Sequence, residues 1–178
     1  GMYEYEACAI AQKLMWDYHS QNAFLPIVTI NGNVLHNHAH GNKLTSGKML
    51  LFDSGTELPN GYCGDMTRTI PVDKTFTAKQ REIYNVVHAS YSKAVSLLQP
   101  GVQYREVHLA ACTVIAEGLK QIGLMKGDVD EAVAAGAHAM FFQCGLGHMM
   151  GLDVHDMENL GEAYVGYDEK TKRSDQFG

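Results

Sequence analysis

The sequence is short of basic residues, long apolar runs and paired cysteines, and each shortage removes a class of function. Fourteen Lys and Arg stand against twenty Asp and Glu, for a formal net charge of −6. No basic block gathers to line a nucleic-acid groove or to meet an anionic membrane surface. No apolar run approaches the ~20 residues of a membrane span, so a soluble chain is expected. The four cysteines (Cys8, Cys63, Cys112 and Cys144) are scattered without CxxC spacing. They read as reduced thiols of a cytoplasmic protein rather than as a disulfide framework. The first twenty residues carry no small-residue cleavage site, which speaks against a signal peptide, and Gly1 ahead of Met2 reads as the remnant of a cleaved tag. Two hydrolase signatures are missing: HExxH, which disfavours a zincin, and GxSxG, which disfavours a serine hydrolase.

What is present suits a single compact domain of 178 residues, 46% apolar and 19% charged,. Ala7, Ile10, Ala11, Leu14, Met15 and Tyr18 recur at helical spacing, predicting an amphipathic helix over 3–21. A strand is expected over 26–30, followed by an Asn31-Gly32 turn. Strands over 49–56 and 62–72 are joined by Leu58-Pro59-Asn60-Gly61, the composition of a tight connection, so 49–72 reads as a hairpin. Thr77-Ala78-Lys79-Gln80 has the form of a capping box and opens a helix running to about Leu98, stopped by Pro100-Gly101. A second helix spans about 104–122 and ends at Gly123, and a third covers about 129–135. Residues 161–178 form a polar tail with no apolar period. Helices interrupting a mainly antiparallel sheet predict an α+β fold with helices on one face.

Nine histidines are the excess that points to chemistry, because imidazole is both the commonest metal ligand and the proton carrier of neutral pH. Asp53 and Asp65 lie symmetrically about Pro59. A loop with an odd number of residues puts both on one face, opposite or one diagonal step apart, where a cation would relieve their repulsion. Turn capping is the equal alternative, and an even loop without a bulge would separate them. His148 sits in Gly145-Leu146-Gly147-His148-Met149-Met150-Gly151, where glycines leave room for a ligand; alone, it reads more simply as a core histidine. His155 follows Asp153 by two residues, which in an extended segment would share a face with it. His36, His38 and His40, in a loop-like setting, are expected to diverge.

In chain order, Leu51-Phe52-Asp53-Ser54-Gly55, Gly64-Asp65-Met66-Thr67-Arg68-Thr69, Phe76 to Tyr84, and Gly145 to Asp156 together resemble the pita-bread metallopeptidases. The likeness is closest to the branch that holds Xaa-Pro aminopeptidases and prolidases, and it spans about Pro26 to Asp156. It implies the pita-bread α+β fold, incomplete at its C-terminal end, and a partial catalytic domain over 1–178. It also implies metal-assisted hydrolysis of the bond between an N-terminal residue and a following proline, with prolidase action or a non-catalytic peptide-binding module as alternatives. By the resemblance Asp53, Asp65 and His148 are metal ligands, and His36 and His155 are catalytic residues on the substrate side. The cofactors implied are two divalent metal ions, manganese first and cobalt or zinc as alternatives. The partners implied are a peptide with proline in second position and, because sheet edges would be exposed, a second copy of the chain in a homodimer.

The chain departs from the family pattern in three places. The two glutamate ligands expected from the family are not matched, so the 178-residue chain is expected to be inactive with a partial or empty metal site. The Asp53-to-Asp65 spacing is one residue longer than usual, and Cys144 stands where relatives carry a further histidine.

Overall fold

The computed structural model describes residues 1–158, 160–168 and 170, which fall into two compact units. The first takes in residues 1–77 and 149–157, the second 78–148 and the described residues from 158 onward.

The first unit holds helix α1 (Glu4–Asp17) and strands β1 (Gln21–Asn22), β2 (Ile27–Thr29), β3 (Met49–Ser54), β4 (Thr56–Glu57) and β5 (Met66–Pro71). Strands β2, β3 and β5 form an antiparallel sheet with β3 in the middle, and β1 pairs with β4. Ile27, Val28 and Thr29 are β-branched and all buried, so β2 carries the sheet's core face. The expected hairpin is present. Gly61 N–H donates to the Leu58 carbonyl at 2.8 Å and Leu58 N–H to the Tyr62 carbonyl at 2.9 Å, while Gly61 takes φ 85°. This is a loop of three residues closed by a left-handed glycine, with Pro59 presetting its first torsion.

Three features differ from expectation. The first long strand divides at Gly55, where an added Cβ would overlap the Gly64 carbonyl oxygen and the Phe24 ring. Strand β1, at two residues, is too short to leave a period. In α1 only part of the apolar set turns inward: Ala7, Ala11 and Met15 are half-buried, whereas Ile10 and Leu14 are 61% and 59% exposed. The helix is anchored by a carboxylate as well. Glu4 is fully buried, its Oε1 accepting from Ile30 N–H at 2.7 Å and its Oε2 from Asn42 N–H at 2.9 Å.

The second unit holds α2 (Ala78–Leu97), α3 (Tyr104–Gln121), α4 (Val129–Ala134), a 3-10 turn at Ala137–Met140 and a short helix α5 (Glu162–Val165). Helix α5 falls in the stretch for which the sequence predicted no element. Residues 169 and 171–178 of that tail lie outside the described residues. Helix α3 ends as expected: Gly123 N–H donates to the Lys120 carbonyl at 3.0 Å and Leu124 N–H to the Leu119 carbonyl at 2.8 Å. With Gly123 at φ 80°, this is a complete Schellman stop. Asp128 caps α4 by accepting from Glu131 N–H at 3.0 Å,.

Helices α2 and α3 pack closely because small residues face each other. Ser90 Oγ donates to the Ala111 carbonyl across the buried seam at 3.1 Å. A Cβ added at Gly118 would sit 2.6 Å from a methyl of Val86. Alanine is favoured over glycine in a helix by about 1 kcal/mol, but overpacking a seam costs about 1–3 kcal/mol and Val86 is too stiff at χ1 to yield. Gly118→Ala is therefore expected to destabilise the chain despite its better helix propensity, read as a lower midpoint in urea unfolding.

Candidate metal centre

The hairpin decides whether the two aspartates share a face. Asp53 pairs with Thr67 across β3 and β5, and Glu57 bridges to Cys63 nearer the turn. The register is thus centred on Asn60, one residue beyond the expected Pro59. Because the loop is odd, Asp53 and Asp65 lie on the same face, one diagonal step apart. The closely packed glycine pair Gly55 and Gly64 lies beside them and lets the two ribbons approach.

Around these carboxylates is a cavity of about 340 Å³, lined among others by His36, His38, Asp53, Asp65 and His155. Phe24 and Val154 supply apolar wall. The aspartates are half-buried, whereas His36 and His155 are exposed at the rim. Burial is the largest influence on Asp53 and raises its pKa. A hydrogen bond with Thr67 opposes this, the charge of Asp65 and a hydrogen bond shared with it raise the pKa further, and the charge of His36 lowers it. Asp53 Oδ1 is buried with no hydrogen-bond partner among the described residues. A buried carboxylate oxygen left unbonded costs free energy, and a cation is the partner that would repay it. Hard oxygen donors beside imidazole suit a divalent cation such as manganese or zinc. The residues present therefore fit a metal ion.

The segment that carries His155 is not extended, which corrects the expected sharing of a face by Asp153 and His155. Residues 151–155 are a run of bends. Asp156 N–H donates to the Met149 carbonyl at 3.0 Å, and Asp156 Oδ2 accepts from Leu152 N–H at 3.2 Å. A Cβ at Gly151 would overlap that same carboxylate, so the glycine is what lets Asp156 brace the loop. Cys63 N–H donating to the Gly151 carbonyl at 2.8 Å ties the loop to the hairpin.

The three clustered histidines diverge only in part, since His36 and His38 line the same cavity. His36 takes φ 50° and reaches the cavity. His38 lines it too, with Nδ1 at 3.2 Å from the Pro26 carbonyl. His40 turns away, its Nε2 at 3.0 Å from that same carbonyl and its ring near Cys8 Sγ. His38 and Phe24 were not legible as site residues, and only the spacing of two between His36 and His38 hinted at the former. His148 belongs to the second unit and is half-buried. Its loop is held by Leu146, packed on the Ala94, Val107 and Ala111 core, and by Gly147, where a Cβ would meet Tyr104 Oη at 2.7 Å.

Comparison with known proteins gives one answer. Xaa-Pro aminopeptidase of Escherichia coli is 42% identical over 132 residues, covering 74% of this chain and 30% of its own length. Proline aminopeptidase P II from Yersinia pestis superposes with TM-score 0.86 at 36% identity, over 94% of this chain and 39% of that one. A zinc-substituted aminopeptidase P of Escherichia coli in complex with product superposes with TM-score 0.84 at 38% identity, over 88% and 36%. The chain thus spans about a third of the relatives it matches, and its fold is part of the pita-bread α+β fold of these aminopeptidases. A profile of metallopeptidase family M24 matches residues 1–175, and with four ordered motifs and a carboxylate pair on one hairpin face behind it, the chain belongs to that family.

Proposed function

We propose that the whole protein is a metal-dependent Xaa-Pro aminopeptidase and that residues 1–178 are part of its catalytic domain. The observation that carries this reading is the cavity that Asp53, Asp65, His36 and His155 line together, with one buried oxygen of Asp53 lacking a hydrogen-bond partner among the described residues. Asp53 and Asp65 would hold the metal, with manganese preferred because they supply carboxylate donors, and His148 is a further ligand by the family resemblance alone. Two divalent cations, when bound, supply a nucleophile at neutral pH and polarise the scissile carbonyl. His155 and His36, at the rim, stabilise the charge that develops on the carbonyl oxygen. Phe24 and Val154 give a proline ring apolar surface to bury. The curated relatives matched are named Xaa-Pro aminopeptidases, which favours that activity over a prolidase or a non-catalytic peptide-binding module.

Two aspartates and one histidine are too few donors for two dications, so the 178-residue chain alone is proposed to hold a partial site and to be inactive. The free cysteines support a reducing cytoplasmic setting. Exposed Met66 and Ile70 on edge strand β5 support pairing with a second copy. No helix among the described residues is long and apolar enough to cross a membrane.

The test compares the whole protein with the 178-residue chain on a peptide carrying proline in second position, with excess Mn²⁺. Turnover by the whole protein and none by the chain is the expected result. Robust turnover by the chain would overturn the assignment of a partial site, and no turnover by a metal-loaded whole protein would overturn the activity.

A further inference from the structure

The helical unit gathers a second set of metal-capable side chains, built from different donors. His108 and Cys112 lie one turn apart on α3, and His138 lies in the 3-10 turn; their ligand atoms all fall within 4.8 Å of one another. His108 Nε2 is 3.4 Å from Cys112 Sγ, and the His108 and His138 rings meet edge-on with centroids 6.3 Å apart. Cys112 and His138 are fully buried and His108 is 9% exposed. His108 Nδ1 has no hydrogen-bond partner among the described residues. Leu109, Met125, Val129 and Phe142 pack around the core that includes Cys112, so the surroundings are dry. A buried imidazole nitrogen left without a partner at such a point is costly.

We propose that His108, Cys112 and His138 form a three-coordinate site for a soft monovalent d¹⁰ cation, Cu⁺. Imidazole and thiolate donors suit both Cu⁺ and Zn²⁺, and charge decides between them. One thiolate and two neutral imidazoles around Cu⁺ sum to zero, whereas Zn²⁺ would leave a buried positive charge. The local field already opposes positive charge: burial first, then the charges of His138 and Arg105, hold the His108 pKa low. Burial also pushes the Cys112 thiol up to about 11, so the metal-free cluster is a neutral thiol among neutral imidazoles. On binding, the S–H bond breaks, an S–Cu bond forms and the proton leaves to buffer, with no change of oxidation state. The carboxylate cavity offers oxygen and imidazole donors but no thiolate, which suits a divalent cation better than Cu⁺.

The test uses the full chain with Cys8, Cys63 and Cys144 changed to serine, titrated anaerobically with Cu⁺ held on a chromophoric chelator. One equivalent of Cu⁺ taken up, about one proton released per ion, and a melting temperature raised by roughly 4 °C or more are expected. Cys112→Ala in the same background loses the equivalent. Copper X-ray absorption on the serine background, which does not require that variant to fold, is expected to show one sulfur and two nitrogen neighbours. The proposal is overturned by no stoichiometric uptake, by uptake that survives Cys112→Ala, by a spectrum without sulfur, or by Zn²⁺ displacing Cu⁺ at equal concentration.

Discussion

Asp65→Asn in the whole protein is expected to lower kcat/KM on Xaa-Pro peptides by about a thousandfold. A ligand lost from a metal site removes several kcal/mol of transition-state stabilisation, and each 1.36 kcal/mol is about tenfold in rate. The companion change, Asp53→Asn, separates a ligand from a structural carboxylate because two readouts move in opposite directions. Burial and the neighbouring Asp65 raise the Asp53 pKa in the native state. At neutral pH the ionised Asp53 therefore costs the metal-free fold stability, since a carboxyl with a raised native pKa is stabilising only where it is protonated. Replacing it by asparagine removes that cost. Metal content and turnover should fall while the melting temperature of the metal-free protein holds or rises. Were Asp53 a turn cap instead, stability would fall and metal content would not follow it.

The parts of the molecule that were legible in its sequence are those governed by local rules. The helices over 78–97 and 104–121 follow from apolar period and end signals, and Gly123 stops its helix as its lack of a Cβ predicts,. The turn within Leu58-Pro59-Asn60-Gly61 was readable for the same reason, whereas its three-residue length and its centre at Asn60 were not. Its odd length, more than any motif, put Asp53 and Asp65 on one face. What was not legible depends on contacts distant in the chain. Glu4 looks like an ordinary first-turn acid, and only Asn42 and Ile30, brought in from other segments, make it a buried anchor. The 151–155 loop looked extended because alternation was read without knowing that Asp156 would fold back on it. Nor could the sequence show that Gly55, where the strand divides, has no room for a side chain, since Phe24 and Gly64 both crowd its Cβ position from elsewhere in the chain. His138 gave no signal at all, since its partners His108 and Cys112 are on another helix.

Glu4→Ala is the largest stability effect expected in the first unit, about 3 kcal/mol or more. The carboxylate accepts from Ile30 N–H, from Asn42 N–H and from the Asn42 side-chain amide. Deleting it buries these donors without an acceptor, and each unsatisfied buried group costs about 1–3 kcal/mol. Apolar packing compensates little, because Ile10 and Leu14 of the same helix are exposed and only Ala7, Ala11 and Met15 are half-buried. Net stability of a domain is only about 5–15 kcal/mol, so a substantial part of it rests on one side chain. Glu4→Gln should be nearly as damaging, because an amide replaces one acceptor oxygen with a donor aimed at other donors. Urea unfolding followed by far-ultraviolet circular dichroism reads both variants. A loss below about 1 kcal/mol in either would mean that water takes over the carboxylate's bonds. Asn42→Ala added to Glu4→Ala should cost much less than the two single changes together, because the pair forms one network.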